Sequence, residues 1–417
     1  MTTPVSINLD PAQLPARCDV LVIGAGPAGS AAATMLARAG FDVVLVDQHS
    51  FPRDKVCGDG LIPDAHKALA KLGALDEVMT LAQPAGHVGC IGPRGGRIDV
   101  PGTLAVLPRK ELDHVLVKNA ARAGVRMFAP VRFAAPIEDN GRVAGAQLKV
   151  GDTTHELRAN WTILATGAVP QALIAAGMSR RHTPSGVALR GYVKNDRMVG
   201  RIDKLEIVWH RAVSPGYGWI FPCRDGIFNI GVGIADSHGE ARNGKLTKKE
   251  ANLREIFDDF TRVYAPAKEL VEGGVWTSPL KGAPLRCTLE GAQYSRPGLI
   301  VTGEAAGSTY SFSGEGIGKA METGIHAAES IVAGRDGQLD DATVRQRYEA
   351  ALLALKPRFD LYQRANKVNR HPWLADLLIW RAKKSERLLR RMSGVLNETS
   401  NPGNLVSMKG IVRLFTE

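Results

Sequence analysis

At 417 residues, 44% hydrophobic and 23% charged, the chain is long enough for two or three cored units, and the composition excludes a disordered or fibrous protein. A net charge of +11 points to anionic partners: nucleic acid, an anionic membrane surface or phosphorylated ligands. Aromatics do not interleave with Lys and Arg as on a base-stacking surface, so nucleic acid is excluded.

In chain order, residues 1–17 read as a loose leader, and 18–23 (CDVLVI) as a buried strand of the parallel kind. A glycine turn, a small-residue helix over 28–39 and a second strand over 41–47 complete a βαβ unit. The pattern then predicts a helix over 63–72, short strands broken by Gly and Pro over 84–106, and a helix over 110–123. A β-meander follows: 125–129, 142–150, 153–159 and 161–166, with Gly151-Asp152 as a hairpin turn. Residues 187–234 alternate as strands, and 247–270 read as a helix. A last buried strand at 298–302 runs into a Gly-rich turn and a helix to about 333. The tail, about 340–400, is helical and basic.

Cys18, Cys57, Cys90, Cys223 and Cys287 are scattered, odd in number and without CxxC spacing. That pattern predicts neither a disulfide framework nor a zinc or other metal site, and it fits a reducing cytosol. The sequence opens with no signal-peptide pattern and holds no run of about 18 apolar residues. A cytoplasmic protein is expected, with any membrane contact peripheral, at the inner face.

Four stretches carry chemistry. Gly24-Ala-Gly26-Pro27-Ala28-Gly29 sits between strand and helix, where Gly24 permits the turn and Gly26 admits a pyrophosphate. Gly29 and Ala33 let the helix approach the sheet, and its N-terminus faces the phosphates. Asp47 ends the second strand, twenty-three positions after Gly24, where an acid would hold a ribose hydroxyl. NAD and FAD share this fingerprint. The strand and turn at 299–307, with Gly303 and Glu304, and the helix opening at 313–318 decide for a flavin, which needs late amides and a carboxylate. The loop 51–60 is either a solvated loop with a buried Cys57 or a cover for the isoalloxazine. Tyr217, Trp219 and Phe221 share one face of a strand, as core or as the wall of an apolar pocket. In the tail, Trp373, Leu374, Leu377, Leu378 and Trp380 mix with Arg and Lys. That helix either packs on the core or lies on an anionic membrane or a diphosphate.

Together these residues resemble the geranylgeranyl reductase family of FAD-dependent oxidoreductases, which is related to aromatic hydroxylases and flavin halogenases. The carriers are GAGPAG at 24–29, KVCGDG at 55–60, YGWIFP at 217–222 and GEAAG…SGEGI at 303–317. The resemblance covers the whole chain. It implies an α/β fold: a glutathione-reductase-type FAD-binding Rossmann domain (1–75, 100–170, 285–340), an inserted mainly β substrate domain (76–99, 171–284) and a helical tail (341–417). It implies reduction of carbon–carbon double bonds in an isoprenoid or other lipid-like polyene, on a hydrophobic substrate that is free, diphosphate-linked or lipid-linked. Gly24, Gly26, Pro27, Ala28, Gly29, Asp47 and Gln48 would hold the ADP half of FAD. Arg109, Gly303, Glu304, Gly314, Gly316 and Ile317 would meet the flavin half, with Cys57 and Gly58 near its reactive face. Tyr217, Trp219 and Phe221 would line the substrate cavity, and Cys57 or Tyr217 would relay a proton.

The sequence departs from the family pattern in four places. Glu304 replaces the usual Asp, Ser311 the usual Pro, and Ser214 the first Pro of PxxYxWxFP. Ala165-Thr166-Gly167 stands where an Asp-Gly pair is linked to nicotinamide handling. This leaves NADPH, NADH and ferredoxin all open as a transient electron donor. The competing readings are a flavin monooxygenase or halogenase acting through a flavin hydroperoxide, or a lipid- or flavin-binding partner in a larger assembly. The halogenase WxWxIP pattern is met only in part.

Overall fold

The computed structural model describes residues 6–235 and 252–399. The chain opens on β1 (Arg17–Ile23), α1 (Pro27–Arg38) and β2 (Val43–Val46). There follow β3 (Gly60–Leu61), α2 (Pro63–Lys71), α3 (Leu75–Leu81), β4 (Gln83–Ile91), β5 (Arg97–Val106) and α4 (Arg109–Arg122). Next come β6 (Arg126–Phe128), β7 (Arg132–Asp139), β8 (Arg142–Val150), β9 (Thr153–Leu164) and the short α5 (Gln171–Ala175). A second run of strands holds β10 (Gly186–Lys194), β11 (Leu205–Val208), β12 (Gly216–Pro222) and β13 (Ile227–Ala235). After α6 (Leu253–Val263) and α7 (Ala265–Glu272) come β14 (Val275–Leu285), β15 (Ser295–Arg296), β16 (Leu299–Val301) and α8 (Ile317–Asp336). The tail is α9 (Asp341–Ala365), α10 (Lys367–Arg370), α11 (Trp373–Ala382) and α12 (Glu386–Leu396).

Two sheets organise these elements. In the first, β16, β9, β1, β2 and β6 pair in parallel in that order. Val20, Leu21 and Val22 of β1 are fully buried. A continuous apolar run is what a parallel strand covered on both faces requires. Helices α1, α4 and α8 supply one cover: Ala32, Ala33 and Leu36 share a core with Val117, Ala120, Ala327 and Ala328. This is the expected FAD-binding α/β fold. The second sheet runs β14-β10-β13-β12-β11-β4-β5-β3 and is antiparallel except where β11 meets β4. Residues 60–61 and 100–106, read from sequence as part of the cofactor unit, are hydrogen-bonded into this second sheet.

Several elements differ from the sequence reading. The strands expected at 153–159 and 161–166 are one strand. Its first half pairs with β8 in an antiparallel hairpin, and its second half enters the parallel sheet between β1 and β16. The change from alternating to continuous apolar residues at Asn160 marks that passage, not a break. The broken strands expected over 84–106 are the long pair β4 and β5. A register shift between Ala85 and His87 accommodates Pro101 opposite. Strands β7 and β14 escaped notice because Pro136, Pro279 and Pro284 interrupt them. Each pairs on one side only, where proline costs no ladder bond. The helix expected over 247–270 is two helices that meet at Tyr264, before Pro266, with 247–251 outside the described residues. The tail is helical as expected up to the described limit. Leu374, Ala375, Ile379 and Ala382 of α11 pack with Ile98, Val100 and Trp209, so this helix does bury one face against the second sheet.

Candidate active site

The tight turn after β1 has the geometry that its glycines suggest. Gly24 has φ 102°, and a Cβ there would lie 2.3 Å from the Ala165 carbonyl oxygen. A Cβ on Gly29 would lie 1.8 Å from the Gly24 oxygen. Gly29 therefore packs α1 onto the turn. Gly26 is different. It is the N-cap of α1, in extended conformation, with no side-chain cap. Its nearest neighbours to an added Cβ would be Arg53 Nη2 and Arg109 Nη2, both at 3.8 Å. The helix start thus faces open space with free N–H groups.

Asp47 sits beside this space. Its Oδ2 accepts the Ala25 N–H at 2.9 Å and its Oδ1 the His49 N–H at 2.9 Å. Arg109 donates two bonds of 2.6 Å to Asp113, and Arg53 lies 3.1 Å from the same carboxylate. Arg53 also lies 3.7 Å from Asp47, so the two guanidinium groups share two carboxylates, and it is their N–H groups together with the helix N-terminus that suit a pyrophosphate.

A second helix start faces the same space. After β16 the chain turns through Gly303–Ala306 and 313–316 into α8, whose N-cap Gly316 also has no side-chain cap. Gly303, at φ 66°, is a packing position, since its Cβ would fall 2.5 Å from that of Ala28. Glu304 accepts a bond from Thr309 Oγ1 at 3.3 Å. Gly24, Gly26, Pro27, Ala28, Asp47, Gln48, Cys57, Gly58, Arg109, Glu304, Gly314, Gly316 and Ile317 all line one cavity of about 1030 Å³. Gly29 and Gly303 do not. Two uncapped helix N-termini, a carboxylate and an arginine pair on one elongated cavity fit FAD at its pyrophosphate and its ring.

The loop 51–60, which the sequence left undecided, covers this cavity and is tied to the second sheet. Asn229 Nδ2 donates to the Cys57 carbonyl at 2.8 Å and to Asp59 Oδ2 at 2.7 Å. The Tyr192 hydroxyl donates to the same Oδ2, and the Arg109 N–H to Oδ1 at 3.2 Å. Trp219 Nε1 donates to Asn229 Oδ1 at 2.9 Å. Asp59 is fully buried at φ 65°. Burial pushes its carboxyl up to about 6, against the lowering effects of Tyr192, Arg190 and Asn229. The Cys57 thiol is pushed up by burial and then by the Asp59 charge. Asp59, Tyr192, Asn229 and Arg190 were not singled out from the sequence. The available signal was an Arg and an Asn inside otherwise apolar strands, VALRGYV and IFNIGVG.

The aromatic face of β12 is both core and wall. Tyr217, Trp219 and Phe221 line the cavity, with ring centroids 6.2 and 6.4 Å apart in sequence. Trp209 and Phe312 extend this surface, stacked at 6.2 Å. The Tyr217 hydroxyl donates to the Ser313 carbonyl, in the turn that opens α8. Burial, and then the charge of Glu315, push this phenol well above the usual tyrosine range. Beyond the rings the lining turns apolar, with Val88, Val100, Leu205 and Ile207 of the sheet. The far wall comes from the tail: Leu378 and Ile379 of α11, and Met392, Val395 and Leu396 of α12. Nothing in the order of residues in the tail marks these side chains as cavity wall.

Comparison with known proteins agrees with this geometry. Residues 17–277 match the family described as FAD binding domain. A menaquinone reductase of Mycolicibacterium smegmatis is 34% identical over 82% of this chain and 86% of that protein. Digeranylgeranylglycerophospholipid reductase 2 of Methanopyrus kandleri is 30% identical over 79% of this chain and 81% of its own. Among solved structures, a geranylgeranyl bacteriochlorophyll reductase-like protein of Thermoplasma acidophilum superposes with a TM-score of 0.70 at 22% identity, covering 96% of both chains. A flavin-dependent brominase superposes with a TM-score of 0.72 at 18% identity, over 96% of this chain and 98% of its own, a likeness of fold alone. The chain belongs to the geranylgeranyl reductase family of FAD-dependent oxidoreductases.

Proposed function

We propose that this protein saturates isolated carbon–carbon double bonds of an isoprenoid chain. The observation that carries the reading is one cavity that joins an FAD-fitting end to a long aromatic and apolar end. The named substrates of the two curated relatives, a menaquinone and a digeranylgeranyl glycerophospholipid, share an isoprenoid chain. That shared chain is the substrate class assigned here.

Reduced FAD supplies the hydride in such a reaction. The protein's own part is to hold the chain, keep water out and provide a proton. Tyr217, Trp219 and Phe221 would grip the chain, and their ring faces would ease positive charge developing on the alkene. Cys57 and Tyr217 were the proton relays expected from sequence. The reading is tested by product mass under anaerobic conditions, with reduced enzyme and a geranylgeranyl lipid. A gain of two hydrogens per bond is expected, without oxygen or halide. Product that forms only with oxygen would favour the oxygenase reading.

We place the substrate's entrance at the tail. Among the described residues no helix is long and apolar enough to cross a membrane, so a lipid must be reached from its surface. Trp373 and Trp380 are 55% and 47% exposed on α11, whose other face walls the cavity. Lys384 lies over the Trp380 ring, 5.1 Å from its centroid. Within α11 the charged residues are Asp376 and Arg381, and Arg370, Lys383 and Lys384 adjoin it; exposed Trp beside these basic residues suits an anionic bilayer. Wild-type protein is expected to sediment with phosphatidylglycerol vesicles and to be released by salt. Trp373→Ala with Trp380→Ala should weaken this several-fold, by roughly 1–2 kcal/mol, with bound FAD unchanged. Equal sedimentation of the double variant would remove α11 as the contact.

A further inference from the structure

Saturating an alkene takes a hydride and a proton, and Cys57 and Tyr217 are poor sources of the proton. The Cys57 thiol is shifted upward by burial. The Tyr217 hydroxyl already donates to the Ser313 carbonyl. Glu315 stands in the same turn, two residues before α8, and lines the cavity. Its Oε2 is closed off from solvent and takes no hydrogen bond from the described residues. Behind it lies a buried charged cluster. Lys319, 1% exposed, reaches Glu322 Oε2 at 2.6 Å, Glu398 Oε1 at 2.8 Å and Asp64 Oδ2 at 3.8 Å. Asp64 packs on Gly318, where a Cβ would lie 2.3 Å from its Cγ, and its Oδ1 is unpartnered. Glu322 is 34% exposed and opens the cluster to solvent.

We propose that Glu315, as a neutral carboxyl, is the catalytic acid of the cavity, resupplied with protons through Asp64 and the Lys319 cluster. The assignment rests on the reductase reading. The alkene π pair would form a C–H bond with the Glu315 proton, and reduced FAD, where bound, would supply the hydride for the adjacent carbon and be oxidised in doing so. The carboxylate left behind regains a proton from solvent.

The electrostatics agree. Burial, then the Asp64 charge, push Glu315 up to about 8; Ser313 and Lys319 oppose this, and Glu398 adds to it. Burial brings Asp64 up to about 7. Tyr217 from β12 and Tyr362 from α9 are both acted on by the charge of Glu315, and Glu398 also pairs with Arg358 at 2.6 Å and accepts the Tyr310 hydroxyl at 2.9 Å. Because the folded-state pKa of Glu315 is raised, its protonation holds the fold at low pH. That contribution is lost as pH rises from about 4.5 to about 8.

The test uses FAD-loaded Glu315→Gln, with Glu315→Asp beside it. Glu315→Gln should keep stoichiometric FAD, yet reoxidise its reduced flavin with geranylgeranyl diphosphate at least about 100-fold more slowly under nitrogen. Glu315→Asp should recover part of the rate, with a pH profile shifted downward. Independently of turnover, infrared titration should show neutral-carboxyl absorption at pH 7 in wild type that weakens by one carboxyl in Glu315→Gln, leaving the Asp64 component, and the fall in Tm between pH 6 and 8 should be shallower in that variant. A full rate with an unchanged pH profile, or an unchanged infrared band, overturns the assignment and leaves the reductase reading standing. A wild-type enzyme inert toward the polyene overturns both.

Discussion

Gly26→Val is expected to give a folded protein without flavin. Gly26 has φ −77° and ψ −172°, a conformation open to any residue, and nothing lies within 3.8 Å of an added Cβ. The substitution therefore costs the apoprotein little, about 1 kcal/mol at a helix N-cap. The same open space is where the free amides of α1 would meet the pyrophosphate. An isopropyl group there keeps the phosphates from the amides, so FAD affinity should fall at least about 100-fold, or about 2.7 kcal/mol. Circular dichroism and the flavin absorbance of the purified variant check both halves. Gly29→Val is the contrast. Its Cβ would meet the Gly24 oxygen at 1.8 Å, so it should fail to fold and not merely lose cofactor. A Gly26→Val protein that keeps yellow, stoichiometric FAD would place the cofactor elsewhere.

Asp59→Ala should destabilise the protein by about 3–5 kcal/mol. It removes the acceptor for the Tyr192 hydroxyl, the Asn229 amide and the Arg109 N–H, all in the interior. It also removes one of the two negative charges near the buried Arg190 guanidinium, which keeps only Asp54 at 2.6 Å, and it places Ala at φ 65°. Asp59→Asn keeps an acceptor and a residue type that tolerates that conformation, so it should cost less, about 1–2 kcal/mol. Urea unfolding measures both. The pH dependence has a definite sign. Between about 4 and 6 the unfolded carboxylate has lost its proton while the folded one, raised to about 6, has kept it. Stability therefore falls as pH rises through that window, and Asp59→Asn should lose this part of the slope.

These two sites differ in how much of them could be read from the sequence. The turn at Gly24–Gly29 and the acid at Asp47 form a local unit, fixed by one strand, one turn and one helix, so spacing alone exposes them. The aromatic face of β12 is equally local, because alternation in a strand decides which rings align. Asp59 is not local. Its meaning comes from Tyr192 and Asn229, more than 130 residues further along. Only the pairing of β10 and β13 brings those two side chains together. The tail is a similar case. Its helices are plain in the sequence, but that Leu378, Ile379 and Leu396 close the cavity follows from their packing on β4 and β5. Glu315 reads as one residue of a glycine-rich helix start until its unpartnered oxygen is seen in the cavity wall beside Asp64 and Lys319.

The most direct test of the whole account is the fate of the reduced flavin in the absence of oxygen. Purified protein is photoreduced under nitrogen and mixed in a stopped-flow cell with a geranylgeranyl lipid, and the flavin absorbance is followed. Reoxidation is expected at a rate that saturates with lipid, with one double bond lost for each flavin oxidised. A flavin that stays reduced with the lipid and turns yellow only when oxygen is admitted would contradict it.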